Sequence, residues 1–164
     1  MSKRVYLSGG MEYAPNEGRD WRRDLQRWFE QELGWEVFNP NDESERFLAR
    51  HLPAGSDFRR MKTDDPDAFQ RIVRQIVDLD CREIAVRSDC VVCYWDQGAM
   101  QGAGTKGEIT MATYHGKPVY LVTSFPFQEI PGWVLGCTTM IFGSFEQLKD
   151  FLARNEKKRP GGRI

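Results

Sequence analysis

The stretch from Ser88 to Val122, SDCVVCYWDQGAMQGAGTKGEITMATYHGKPVYLV, constrains the fold more than any other part of the chain. An apolar run from Cys90 to Trp95 has the length and composition of a buried strand, and it ends at Asp96 in a segment rich in Gly, Ala and Gln. Gly104-Thr105 opens a short helical pattern with Glu108 in its first turn, and a second apolar run, Pro118 to Val122, follows His115-Gly116-Lys117. Strand, glycine loop, helix and strand make a β-α-β crossover. Its loop falls at the carboxyl edge of a parallel sheet, where open α/β folds bind ligands.

The same alternation runs through the rest of the chain. Lys3 to Ser8 reads as a strand that enters Gly9-Gly10-Met11, a glycine turn that lets backbone approach a ligand closely. Arg19 to Leu33 reads as a helix with Trp21, Leu25, Trp28, Phe29 and Leu33 on one stripe. Arg22, Arg23, Asp24, Arg27 and Glu30 fill the remaining face, and Gly34 stops it. Trp35 to Phe38 is the second strand, ended by Asn39-Pro40-Asn41-Asp42. From Asp42 to Asp65 no period emerges beyond a helical turn or two at Ser44 to His51, which predicts a long surface excursion of the kind that forms lids. Asp65-Pro66 starts a long helix with a buried stripe of Phe69, Ile72, Val73, Ile76 and Leu79. Thr123 to Gly136 reads as a loop with an apolar patch, Thr138 to Phe142 as a last strand, and Ser144 as the cap of a closing helix. The expectation is a single α/β domain over residues 1–154, built on a doubly wound parallel sheet of about five strands. A basic, Gly- and Pro-rich tail, expected to be flexible, occupies residues 155–164.

Composition removes several function classes. With 23 basic and 24 acidic residues the net charge is -1, so neither nucleic acid nor an anionic membrane is the expected partner. No apolar run approaches the roughly 20 residues needed to span a bilayer, and the four cysteines fit a reducing, cytoplasmic setting. Cys90 and Cys93 fall at odd spacing within a strand and point to opposite faces, so this pair reads as core and no metal is expected. No cofactor fingerprint occurs either. Gly9-Gly10-Met11 is no G-x-G-x-x-G, and neither a P-loop nor a nucleophile elbow is present. What remains is a set of carboxylates at a glycine-lined edge with tyrosines close by. That inventory suits an acetal-like carbon, where one carboxylate attacks an oxocarbenium-like centre and another handles the leaving group's proton.

VYLSGGM, the helix ending in Asp80 ahead of Ser88-Asp89, and WDQGAMQGAGTKGEITMA resemble the nucleoside 2-deoxyribosyltransferase family and its hydrolytic relatives, the nucleoside and nucleotide N-glycosidases. The resemblance covers residues 4 to 152 and implies a three-layer, flavodoxin-like fold without a cofactor. By position it implies that Glu108 attacks the anomeric carbon, that Tyr6 orients it, and that Asp80 exchanges a proton with the base. Ser8, Gly9, Gly10, Met11, Gly104 and Thr105 would line the substrate site, and Asp96 would hold the base or the nucleophile. The substrate is then a small nucleoside or nucleotide, and the protein a homo-oligomer with shared active sites to which the Phe125 to Gly136 segment contributes. Asp80 precedes Asp89 by nine residues where the usual spacing falls on Cys81, so either a one-residue bulge intervenes or Asp78 takes the role. The Asp96 to Glu108 loop is longer than in common members, and Ile-Thr follows Glu108 where Leu-Gly is frequent. A non-catalytic nucleotide-binding module of the same fold is the competing expectation.

Overall fold

A computed structural model of the chain describes residues 2–157. Five strands, β1 (Arg4–Gly9), β2 (Glu36–Phe38), β3 (Cys90–Tyr94), β4 (Val119–Val122) and β5 (Met140–Phe142), form one all-parallel sheet in the order β2-β1-β3-β4-β5. This is the flavodoxin-like order, in which successive crossovers change sides between β1 and β3. Around it lie α1 (Arg19–Trp28), α2 (Pro40–His51), α3 (Phe58–Asp64), α4 (Pro66–Arg82), α5 (Gln97–Gln101), α6 (Gly104–Tyr114), α7 (Gly132–Gly136) and α8 (Phe145–Lys157).

The period-2 alternation of strand side chains divides the core into two clusters and so makes three layers. Val5, Leu7, Cys90, Val92 and Val122 pack against Leu25 and Phe29, on and just after α1, and against Leu148 and Leu152 of α8. Tyr6, Val91, Cys93, Val119 and Leu121 face the other way, against Ile84, Ile109, Ala112 and Val134. Cys90 and Cys93 thus lie in different layers, both as free thiols. Among the described residues no cluster of His, Cys, Asp or Glu could hold a metal ion, and no helix is long and apolar enough to cross a membrane.

Several local outcomes depart from the sequence reading. The Asp42–Asp65 excursion is mostly helical. Asn39 caps α2 by accepting from Asn41 N at 3.1 Å, with Pro40 at the first helical position, and Asp57 caps α3 by accepting from Arg60 N at 3.1 Å. The loop 123–136 contains a 3-10 turn (Phe127–Glu129) and α7, and its Ile130 and Val134 are core residues. Only Ile72 of the expected α4 stripe is buried; Phe69, Val73 and Ile76 line a cavity. Arg22, expected on the polar face of α1, is fully buried. At the chain's far end α8 continues through Lys157, and residues 158–164 of the expected tail lie outside the described residues.

Candidate functional site

A cavity of about 710 Å³ opens at the carboxyl end of the sheet beside the β1/β3 switch point. Its floor is Gly9, Gly10 and Met11 after β1, together with Gly104, Thr105 and Glu108 of α6. One wall is the α4 face carrying Phe69, Val73, Ile76 and Asp80, and residues of α2 and α3 complete the enclosure. The α4 spacing keeps those four side chains on a single helical stripe, apolar until its last member.

Glu108 is held at both carboxylate oxygens. Tyr6 and Ser8 are two apart on β1, so both project toward α6. The Tyr6 hydroxyl donates to Glu108 Oε1 at 3.0 Å, and the Ser8 hydroxyl donates to Glu108 Oε2. Tyr6 itself is fixed by complete burial and by stacking on Phe38 at 5.1 Å. Glu108 is the fifth residue of α6, past the first turn in which the sequence reading placed it. Its environment is therefore set by β1 more than by the helix terminus, whose field fades beyond the first turn.

Asp80 faces Glu108 from α4. Burial and the nearby Glu108 charge push its carboxyl up to about 8, against the nearby Tyr6 hydroxyl and the Arg22 charge. Burial also raises Glu108, but the Ser8 hydroxyl, the Arg22 charge and the Tyr6 hydroxyl each favour its ionised form. Both carboxyls are therefore raised by burial, and Asp80, which also feels the Glu108 charge, keeps its proton around neutrality. Tyr6 stays protonated, because burial and the adjoining carboxyls raise its pKa well above the ordinary phenol value. Asp78, the alternative to Asp80, is exposed and pairs with Arg82 at 3.1 Å. The spacing anomaly also has a local cause. A π-helical turn, Glu83–Arg87, follows α4, with Ser88 N donating to Glu83 O at 2.9 Å, and it inserts the extra residue between Asp80 and Asp89.

Asp96 lies outside the cavity lining. It caps α5, accepting from Ala99 N at 2.9 Å, and so shapes the loop behind the floor. Lys106 braces the same loop by donating to Met100 O at 2.7 Å and Gly102 O at 2.9 Å. The two glycine loops meet backbone to backbone: a Cβ on Gly10 would lie 2.7 Å from both Ala99 N and Gly98 C. Gly10→Ala is accordingly expected to lower unfolding stability by about 1–3 kcal/mol, as overpacking against rigid neighbours does, with the loss read from urea denaturation. An unchanged midpoint would show that the loops yield freely.

Sequence reading missed the burial of Arg22 and, apart from Arg59, a basic residue open to a 5′-phosphate, the wall residues of α2 and α3. Arg19, Arg59 and Lys62 line the cavity, yet each is already paired: Arg19 with Glu17 and Glu45, Arg59 with Glu17, and Lys62 with Glu12. Glu17 is held at φ 51 next to Asn16 at φ 47 and Gly18 at φ 66, a left-handed run that non-glycine residues seldom adopt. No signal short of the tertiary contacts marks out Arg22, Glu17 or Lys62.

No protein-family model matches the chain, and no curated protein matches it in sequence. Among solved structures it is similar to a 3-dehydroquinate dehydratase-like protein from Bifidobacterium longum, 15% identical over 96% of this chain and 100% of that one, at a TM-score of 0.41 that carries no argument. It is also similar to the Clostridium botulinum CMP N-glycosidase BcmB, 19% identical over 93% of this chain and 99% of that one, with a TM-score of 0.56. What this second likeness shows is the fold, a three-layer α/β domain of flavodoxin-like topology.

Proposed function

We propose that the chain cleaves the N-glycosidic bond of a nucleoside or nucleotide, with Glu108 as nucleophile and Asp80 as proton donor to the departing base. One observation carries the reading: two carboxyls, Asp80 and Glu108, line a single cavity, and Glu108 is clamped at both oxygens by Tyr6 and Ser8. In the first step a Glu108 oxygen forms an ester with the anomeric carbon, the bond to the base nitrogen breaks, and the Asp80 proton passes to the base. In the second, water attacks the anomeric carbon, Asp80 takes up its proton, and Glu108 leaves as carboxylate. A second base in place of water gives sugar transfer.

The fold likeness to a CMP N-glycosidase supports this reaction class. The cavity volume falls within the range that encloses small ligands, and its apolar α4 wall suits a base or sugar face. A homo-oligomer with shared sites belongs to the same reading, supported by the exposure of Phe127 and of Trp133, the latter hydrogen-bonded to Thr110 of α6. The test is a panel of ribo- and deoxynucleosides and their 5′-monophosphates, with free base followed by chromatography and a competing base added in a second arm. Release of base from at least one member is expected. Silence across the panel with a folded protein would overturn the reading.

A further inference from the structure

Six large apolar side chains lie outside both core clusters and line the cavity instead: Leu48, Leu52, Phe58, Phe69, Val73 and Ile76. Each is half-buried. The helices that carry them explain the arrangement. On α2 the lining residues fall on one stripe, polar at Asn41, Ser44 and Glu45 near the end of β2, and apolar at Leu48, Ala49 and Leu52 farther out. α4 runs back toward the start of β3, so its stripe begins with Phe69 far from the floor and ends with Asp80 beside Glu108. Phe58 of α3 stacks on Phe69 at 4.9 Å and joins the third helix to this outer end. The cavity is thus graded, with its reactive carboxyls at the sheet edge and an apolar chamber beyond them. Its other charged side chains cancel, since Arg19, Arg59 and Lys62 pair with Glu12, Glu17 and Glu45.

We propose that this chamber receives a neutral alkyl or aryl substituent on the leaving base, so that the preferred substrate is an N-glycoside of a substituted base. The inference rests on the proposed cleavage, because Asp80, the acid that protonates the base, ends the stripe that forms the chamber's wall. The base therefore lies against α4, and whatever its far edge carries extends toward Val73 and Phe69. From Asp80 to Phe69 the stripe runs about 16 Å at about 1.5 Å per residue. A bicyclic base is little longer than one helical turn, so an unmodified one reaches Ile76 and leaves the outer wall bare. Reading the edge of an unmodified base takes hydrogen-bonding side chains. Beyond Ile76 the lining residues of α4 and of the outer half of α2 are hydrocarbon, and hydrocarbon is what they are suited to cover.

The experiment compares adenine and cytosine nucleosides and 5′-monophosphates, ribo and deoxy, with the same compounds benzylated or isopentylated on the exocyclic amine. Substitution is expected to raise kcat/KM for base release by at least about tenfold, since even one methylene in an apolar pocket is worth about that much. Val73→Asn and Leu48→Asn place an amide on either wall at positions outside both cores, and each is expected to reduce the advantage by about fivefold or more. Equal or slower release from the substituted compounds overturns the proposal. So does an advantage that persists in the variants, with either one sufficient if the other does not fold. Calorimetry with adenine, cytosine and their benzylated forms separates this question from the chemistry. If no compound releases base, the cleavage reading fails and binding alone decides on the chamber. Benzylated bases held at least about tenfold more tightly, with the gain lost in the variants, uphold it. Equal, weaker or undetectable binding overturns it.

Discussion

Glu108→Gln is expected to reduce base release by at least about 10³-fold, since an amide oxygen is too weak a nucleophile to form the sugar ester, and loss of a nucleophile costs this much or more. The fold should survive the change. Glutamine fills the same volume, its amide oxygen can still accept from Tyr6 or Ser8, and no buried charge remains to be compensated. The variant's melting temperature is therefore expected to equal or exceed that of the parent, a gain in stability matched to a loss in function. Acid-quenched turnover mixtures supply a second reading: intact mass should show a sugar-sized increment on the parent and none on the variant. Turnover within tenfold of the parent would remove Glu108 from the mechanism.

Asp80→Asn is expected to slow the reaction by about 10²–10⁴-fold, the usual worth of a positioned acid. The pH profile distinguishes this from mere damage. With the Asp80 carboxyl pushed up to about 8, parent activity should fall as the pH rises past that value, and the variant should lack the alkaline limb. Stability follows with a definite sign. Between the ordinary carboxyl value of 3.8 and about 8 the folded chain holds a proton on Asp80 that the unfolded chain has released, so the parent loses stability as pH rises through that window. Asp80→Asn, which never ionises, should be relatively more stable at pH 9 than at pH 5, as measured by thermal melts. Parallel melting curves at the two pH values would mean that Asp80 is not desolvated, and an alkaline limb in the variant would assign that limb to another group.

The strands and their carboxyl edge were legible because each strand is a short apolar run with a break after it, while the flavodoxin-like order came only with the resemblance; strand alternation also separated Cys90 from Cys93. Glu108, Tyr6 and Ser8 converge because a helix placed after β3 at the switch point must look across at β1. The enclosure was not legible. α2 and α3 rest on caps at Asn39 and Asp57 more than on a strong apolar period, and their inner faces look into a cavity, so polar residues occur there too. Asp96 was placed among the binding groups from its position at the strand end, where an acid serves equally as a helix cap. Arg22 could not be seen because its partners are carbonyls from three separate segments, and a carbonyl leaves no trace in side-chain pattern. The π-turn after Asp80 left only an arithmetic trace, one residue too many.

The contact between the Gly10 and Gly98-Ala99 backbones has a historical consequence as well as a steric one. Two segments almost ninety positions apart share one seam, and neither has slack to absorb a methyl group. Because the atoms that crowd position 10 are themselves main chain, no change of side chain across the seam can make room. Chains descended through this architecture should keep glycine there, while position 98 answers instead to Ala14, whose Cβ lies 2.9 Å from a Cβ built on Gly98.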